Sequence, residues 1–172
     1  MKYISHKIEE TACFAKSFLQ ILCGQVEKSP TTLATVVGLY GNLGAGKTTF
    51  TQCLAKELGI TETLTSPTFV IEKIYPIKHS SSTTYPQAYQ TTSPQVFPQF
   101  SIPFTQIIHI DAYRLDNGSE LEVLGFKKLL EDSKNLILVE WPERVIDILP
   151  KDHIKIHFTF VDEVTREIVW GD

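Results

Sequence analysis

The 172-residue sequence has few of the residues on which several classes of protein depend. Its three cysteines, Cys13, Cys23 and Cys53, are odd in number, widely spaced and not accompanied by a pair of histidines. We therefore expect neither a disulfide framework nor a zinc site, but apolar thiols in a reducing cytoplasm. The sequence also lacks an apolar run long enough to span a membrane, and its first residues lack a signal peptide's apolar segment. These absences predict a cytoplasmic protein with no membrane partner.

Arginine is also scarce, since only Arg114, Arg144 and Arg166 occur among sixteen basic residues. Arginine is the favoured bidentate ligand of phosphate, so a phosphate site built on several arginines is excluded. The formal net charge of −4 argues against a broad grip on nucleic acid, which requires a basic surface. A role related to RNA through a partner stays open.

The most informative segment is a glycine-rich loop between a predicted strand and a predicted helix. The β-branched apolar run of residues 33–40 predicts a buried strand, and residues 48–58 predict a helix that ends before Gly59. The loop fits the pattern Gly, any four residues, Gly-Lys-Thr, whose backbone N–H groups cradle phosphates. The predicted cradle consists of Gly41, Asn42, Leu43, Gly44, Ala45, Gly46, Lys47 and Thr48.

Each end of this loop has a predicted chemical role. Lys47 supplies a positive charge to the terminal phosphates, and Thr48 offers a hydroxyl group to Mg²⁺. The helix that follows directs its positive end at the anion. The Asn-Lys-any-Asp pattern that reads guanine in GTPases does not occur in the sequence, so we expect ATP with Mg²⁺ as the ligands.

Hydrolysis requires further groups, and the sequence offers three candidates. Asp111 and Glu140 each follow an apolar strand pattern, and the carboxyl ends of strands are where α/β sheets bind ligands. Either residue can also be a solvated carboxylate at a strand end. Thr68, in Ser66-Pro67-Thr68, can be a switch residue that reaches the γ-phosphate, or part of an ordinary proline turn.

The remaining pattern predicts an α/β fold. Residues 8–23 predict a helix that ends at Gly24, and Ser119 with Glu122 predicts a capping box for a helix through residue 124. Strands are predicted over residues 68–75, 105–111 and 136–139, and a C-terminal β-hairpin over residues 154–170. We expect a single domain, residues 1–172, with a P-loop NTPase-like three-layer sandwich and a mixed, mainly parallel sheet.

One stretch interrupts this alternation of predicted strands and helices. Residues 77–104 lack Asp and Glu and contain Pro86, Pro94, Pro98 and Pro103. The prolines would interrupt any regular element, so the stretch is predicted to be a long loop inserted between two strands. A tolerated surface insertion is the favoured interpretation, and contact with a partner or tRNA stays open.

These motifs in this order resemble the bacterial TsaE (formerly YjeE) family over nearly the whole chain. The resemblance rests on four motifs: the P-loop with Thr49, Ser-Pro-Thr-Phe at 66–69, His-Ile-Asp-Ala-Tyr-Arg-Leu at 109–115 and Glu-Trp-Pro-Glu at 140–143. Asn42 stands where the family usually has aspartate, a change that a backbone cradle should tolerate. The segment 77–104 is longer than the family's usual connection.

The resemblance implies a function and a role for each matching residue. Members are P-loop ATPases required to attach threonylcarbamoyl to the adenosine next to the tRNA anticodon. They hydrolyse ATP while docked on the TsaB–TsaD heterodimer, which they reset between turnovers, and reach tRNA only through that complex. Lys47, Thr48 and Thr49 would bind the nucleotide, and Thr48 and Glu140 the metal. Asp111, Glu140 and Thr68 would be catalytic, with Trp141 beside the nucleotide.

Two rival functions stay open from the sequence. A small-molecule kinase usually closes an arginine-bearing lid over the phosphates, and the predicted insertion contains no arginine. An adaptor would bind ATP without hydrolysing it. Phosphate release in the presence of the partners separates the adaptor from the hydrolase.

Overall fold

The computed structural model describes residues 1–67, 69–78 and 101–171. Within these ranges no helix is both long and apolar enough to cross a membrane. The strands are β1 Lys2–Ser5, β2 Thr35–Tyr40, β3 Glu72–Pro76, β4 Gln106–Asp111, β5 Asn135–Glu140, β6 Ile154–Phe160 and β7 Arg166–Trp170. The helices are α1 Ile8–Lys28, α2 Lys47–Glu57, α3 Gly118–Val123 and α4 Phe126–Leu130, with a short 3-10 turn at Pro142–Arg144.

The strands form one mixed sheet in the order β1-β7-β6-β2-β5-β4-β3. Its centre is parallel, because β2 pairs in parallel with both β5 and β6, and β4 pairs in parallel with β5. The strands β3, β7 and β1 add antiparallel pairs at the two sides. The predicted α/β class with a mixed, mainly parallel sheet and a C-terminal β6–β7 hairpin is confirmed.

Helices cover both faces of the sheet, which gives the predicted three layers. Side chains alternate between the faces along each strand. Ile107 of β4 lies in the core beneath α1 and α2, whereas Ile108 and Ile110 lie in the second core beneath α3 and α4. The central strand β5 is buried along its whole length, as its continuous apolar run predicts.

An aromatic cluster joins the first layer to the sheet. The ring of Phe50 on α2 packs against Phe14 and Phe18 of α1, with ring centroids 5.7 Å apart in both pairs. Phe50 also meets Phe158 of β6 at 5.5 Å, and Phe18 meets Trp170 of β7 at 4.8 Å in an edge-to-face arrangement. These pairs fix the helix that follows the glycine loop against the C-terminal hairpin.

Several predicted boundaries are wrong, for local reasons. Helix α1 continues through Gly24 to Lys28, because its buried face carries the helix past a single glycine that costs about 1 kcal/mol. The N-cap of α3 is Asn117, whose side chain accepts a hydrogen bond from the N–H of Ser119, so the predicted Ser119 cap is wrong. The strand predicted from residue 68 begins at Glu72, after a turn. The sequence analysis did not predict β1.

Both ends of the predicted insertion lie within the fold, whereas residues 79–100 lie outside the described residues. Ile77 and Phe104 are buried in the core beneath α1 and α2. The N–H of Ile77 donates to the carbonyl of Thr105 at 2.8 Å, which extends the pairing of β3 with β4 by one step. The two ends of the segment are therefore held side by side.

Gly24→Ala should stabilise the protein by about 0.5–1 kcal/mol, because Gly24 lies in a helix and an added Cβ would meet nothing within 4 Å. Gly59→Ala is the matched control: its Cβ would also meet open space, but Gly59 has a φ of +77° after α2. The control should destabilise by about 1 kcal/mol. Urea unfolding curves measure both changes, and equal effects of the two substitutions would contradict this account of α1.

Candidate functional site

The site forms where three neighbouring parallel strands end. Glu140, the last residue of β5, is in register with Leu39 of β2 on one side and with Asp111, the last residue of β4, on the other. The glycine loop starts two residues after Leu39. The carboxylates of Asp111 and Glu140 are therefore brought to the same edge of the sheet as the loop, as the sequence analysis expected, and both residues are buried.

The loop itself lies tightly against the hairpin. A Cβ at Gly41 would stand 2.2 Å from the carbonyl oxygen of Phe158, and Gly41 has a φ of +136°, so only glycine fits there. Helix α2 then begins at Lys47, with Gly46 as its N-cap. A cleft of about 560 Å³ opens over this helix start and is lined by the loop residues Leu43, Gly44, Ala45, Gly46, Lys47, Thr48 and Thr49. Gly41 and Asn42 line a neighbouring pocket instead.

Lys47 is held inside the loop. Its Nζ donates to the carbonyl oxygens of Gly41 at 2.6 Å and Asn42 at 3.0 Å, and it lies 4.1 Å from the ring centroid of Trp141. Burial lowers the pKa of the Lys47 amine, and this effect outweighs the nearby carboxylates, which act to raise the pKa. The charged amine is thus bound by neutral carbonyls and an indole face, a position from which an anion would be a better partner.

Glu140 connects the loop helix to the centre of the sheet. The hydroxyl of Thr48 donates to Oε1 of Glu140 at 2.8 Å, and Nε2 of His109 lies 2.9 Å from the same oxygen. Thr48 and Glu140, the two residues predicted to bind a metal, are therefore in direct contact. His109 belongs to β4 and is fully buried.

Asp111 is oriented by its own strand and by the turn before β3. Its Oδ1 accepts a hydrogen bond from the N–H of Tyr113 at 3.0 Å, and its Oδ2 accepts one from the hydroxyl of Ser66 at 3.2 Å. Ser66 also lines the cleft. Thr68, the predicted switch residue, lies outside the described residues, so its role stays a prediction.

Backbone strain accompanies both carboxylates. Trp141 directly follows Glu140 with a φ of +58°, and Ile71, whose carbonyl accepts the N–H of Asp111 at 2.9 Å, has a φ of +68°. Bulky residues adopt this conformation at a cost of about 1–3 kcal/mol, and such residues cluster at functional sites. In Trp141 the turn directs the indole over Lys47 and against the ring of Tyr113, 5.1 Å away between centroids.

The sequence analysis missed several residues of the cleft. Arg166 of β7 donates from Nε to the carbonyl of Gly44 at 3.0 Å and so ties the hairpin to the glycine loop. Ser5, Lys7, Ile8 and Thr11, from β1 and the start of α1, line the same cleft. The pairing of β1 with β7 and the packing of α1 on α2 bring the start of the chain here, and no local pattern predicts these long-range contacts.

The donor set fits a nucleotide with Mg²⁺ better than a metal held by protein alone. In the part of the chain that the structure describes, no group of three or more His, Cys, Asp or Glu residues could hold a metal ion. Mg²⁺ is commonly bound by one or two protein oxygens together with substrate phosphates. Thr48 and Glu140 offer such oxygens beside Lys47.

The fold and the site are those of a P-loop NTPase-like protein. A β-strand leads into a glycine loop, a Lys-Thr pair follows at the start of a helix, and carboxylates lie at the ends of neighbouring parallel strands. The family model described as "Threonylcarbamoyl adenosine biosynthesis protein TsaE" matches residues 5–168. The chain therefore belongs to the TsaE family, as the resemblance implies.

Individual relatives agree with this assignment. A TsaE protein of Streptomyces coelicolor is 36% identical over 142 residues, which cover 79% of this chain and 79% of the relative. A TsaE protein of Rickettsia bellii is 31% identical over 159 residues, 92% of this chain and 85% of the relative. The crystal structure of Bacillus subtilis YdiB is similar with a TM-score of 0.61 and 26% identity, covering 99% of this chain and 83% of that chain.

The burial of Lys47 predicts a pH-dependent stability. Because its pKa is lowered, the folded protein binds fewer protons than the unfolded chain just below pH 10.5. The contribution of Lys47 to the free energy of unfolding therefore rises with pH through that window. The stability of Lys47→Met relative to the wild type should therefore fall as pH rises toward 10.5, because methionine has no titrating amine. Urea unfolding at several pH values measures the difference. Lys56→Met, at an exposed position of the same helix, is the matched control, and a difference between Lys47→Met and the wild type that does not change with pH would contradict the prediction.

Proposed function

We propose that the chain is an Mg²⁺-dependent ATP hydrolase that serves the threonylcarbamoylation of the adenosine next to the tRNA anticodon. One observation carries this proposal: Lys47, Thr48, Asp111 and Glu140 line a single cleft over the start of α2, in a chain of the TsaE family. Relatives in several bacteria carry the description "tRNA threonylcarbamoyladenosine biosynthesis protein TsaE". The reducing cytoplasm is the proposed location, and all three cysteines are free thiols.

The phosphates of ATP would lie over the first turn of α2. Backbone N–H groups at a helix start and the helix dipole favour an anion there. Lys47 would exchange the carbonyls of Gly41 and Asn42 for phosphate oxygens, which are better partners for a charged amine. Thr48 and Glu140 would hold Mg²⁺, which when bound supplies positive charge to the terminal phosphates.

Hydrolysis would use groups on the far side of the phosphates from the hairpin. Asp111 is oriented by Tyr113 and Ser66, and its carboxylate would orient the attacking water or a metal-bound water. Thr68 is two residues beyond Ser66 and would sense the γ-phosphate as a switch residue. Trp141 would cover Lys47 and exclude bulk water from the phosphates.

The opposite end of the cleft would receive the ribose and the adenine. Ile8 and Val164 are exposed apolar side chains that line this end together with Thr11 and Ser5. An apolar lining with a few hydroxyl groups suits a flat heterocycle, whose faces require apolar contact and whose edge requires hydrogen bonds.

Docking on the TsaB–TsaD heterodimer is the second part of the proposal. Leu43 and Val164 are 83% and 66% exposed, and both lie at the mouth of the cleft. Exposed apolar side chains around a cleft are typical of an interaction surface. A partner seated on this rim would touch the bound nucleotide, so hydrolysis could release it and reset the complex. Contact with tRNA would pass through the partner, in keeping with the acidic net charge of −4.

The carboxylates should be needed for turnover more than for binding. Asp111→Ala and Glu140→Ala should each lower the rate of phosphate release in the presence of TsaB and TsaD by at least about 100-fold, while ATP still binds. Lys47→Ala should remove binding, because backbone amides alone leave the phosphate charge poorly neutralised. Glu122→Ala, an exposed acidic residue of α3, is the control and should change neither quantity. Unchanged hydrolysis in both carboxylate variants would overturn the assignment, and wild-type binding without hydrolysis would favour an adaptor.

The apolar rim should be needed for docking whether or not a nucleotide is bound. The double variant Leu43→Ser with Val164→Ser should weaken co-purification with TsaB–TsaD by about tenfold or more, because buried apolar anchors contribute more than 1 kcal/mol each. Val123→Ser is the matched control, since Val123 is 86% exposed on α3 and does not line the cleft. Binding to TsaB–TsaD is measured with and without a non-hydrolysable ATP analogue. Equal binding by the rim variant and the control would contradict the docking surface.

A further inference from the structure

The site contains a buried histidine to which neither the motif nor the proposed mechanism gives a role. His109 lies on β4 two residues before Asp111, so the two side chains point to the same face of the sheet. Its neighbour in register on β5 is Leu138, two residues before Glu140. His109 therefore lies one step below the pair of carboxylates, between them and the apolar core that contains Ile107 and Leu138.

The imidazole makes one polar contact in this position. Nε2 of His109 lies 2.9 Å from Oε1 of Glu140, the oxygen that also accepts the hydroxyl of Thr48 at 2.8 Å. Nδ1 of His109 is buried and has no hydrogen-bond partner among the described residues. An N–H at Nδ1 would be an unpaired buried donor, so the network assigns the hydrogen to Nε2, from which it is donated to Glu140.

A histidine at this depth has a cost that a hydrophobic residue would avoid. Its exposed fraction is 0%, and a buried polar atom without a partner loses the hydrogen bond that it makes with water in the unfolded chain. A leucine of similar volume would fill the space between the core and the carboxylates without that cost, but it would leave Glu140 with Thr48 as the one donor to Oε1 that the structure gives. The imidazole fixes the direction of the Glu140 carboxylate, which leucine cannot do.

We propose that His109 is a positioning residue that acts through Glu140: its Nε2–H fixes the carboxylate against Thr48, and thereby strengthens the binding of nucleotide when Mg²⁺ is present. The inference rests on the proposed nucleotide site and adds a residue to it. Groups that orient a metal-side carboxylate typically change metal affinity by at least about tenfold when they are removed.

The test compares three variants of the full chain. His109→Leu keeps the volume and removes the donor, whereas His109→Gln restores an amide N–H of similar reach. Ile108→Val, in the neighbouring and equally buried position, faces the opposite core and controls for lost stability. Calorimetry measures the affinity for a non-hydrolysable ATP analogue with Mg²⁺ and with EDTA, for each variant alone and for His109→Leu combined with Glu140→Ala.

The expected result is a loss confined to the Mg²⁺-dependent part of the affinity. His109→Leu should lower the affinity with Mg²⁺ by about tenfold and leave the affinity in EDTA unchanged, His109→Gln should recover most of the loss, and Ile108→Val should match the wild type. In the Glu140→Ala background, His109→Leu should have no further effect. In the unliganded wild type, the ring ¹⁵N shifts of His109 should report the Nε2–H tautomer.

Several outcomes would overturn the inference. The first is that His109→Leu lowers the affinity for the ATP analogue equally in Mg²⁺ and in EDTA, and the second is that it lowers the affinity further in the Glu140→Ala background. The third is an Nδ1–H tautomer in the wild type, which can be measured even if His109→Leu does not fold. If His109→Leu binds the ATP analogue with the affinity of the wild type, the inference is overturned and the proposed function is left intact. A wild type that binds no nucleotide would overturn both.

Discussion

The parallel register of β2, β5 and β4 is the constraint on which the site depends. Parallel strands end at the same edge of a sheet, so pairing Leu39, Glu140 and Asp111 in one row gathers residues that are far apart in sequence. The glycine loop leaves this row directly and turns into α2, and the aromatic cluster around Phe50 fixes that helix on the sheet. A shift of one residue in β5 would turn Glu140 to the opposite face and separate it from Thr48.

Local patterns in the sequence predicted the parts of this arrangement that are locally encoded. The apolar runs of β2 and β5, the glycine loop and the carboxylates at strand ends all follow from periodicity and motif spacing. The path of α1 beyond Gly24 could not be predicted, because packing on the sheet overrides a weak local preference. Arg166 and the start of the chain reach the cleft through the β1–β7 pairing, a long-range contact with no local pattern. The buried His109 was visible as part of a motif, but only the structure gave its contact with Glu140.

The surroundings of Lys47 are a second notable feature of the site. Lys47 is a buried cation at the glycine loop, and carbonyls and an indole ring contact its amine. These partners are neutral, whereas the carboxylates of Glu140, Glu143 and Asp111 act through their charge to raise the pKa of the same amine. Ile71 and Trp141, which have a positive φ, lie next to the two carboxylates and pack against the second apolar core, so the unusual backbone stands where that core meets the cleft.

The side-by-side ends of the segment between β3 and β4 have a consequence for how this chain can diversify. Ile77 and Thr105 are already joined by a hydrogen bond, so the fold itself closes whatever length of chain lies between them. Doubling such a connection costs only about 0.6 kcal/mol. A change in the length of chain between Ile77 and Thr105 therefore has a small closure cost, and an engineer can use this position to insert a reporter domain or an affinity tag.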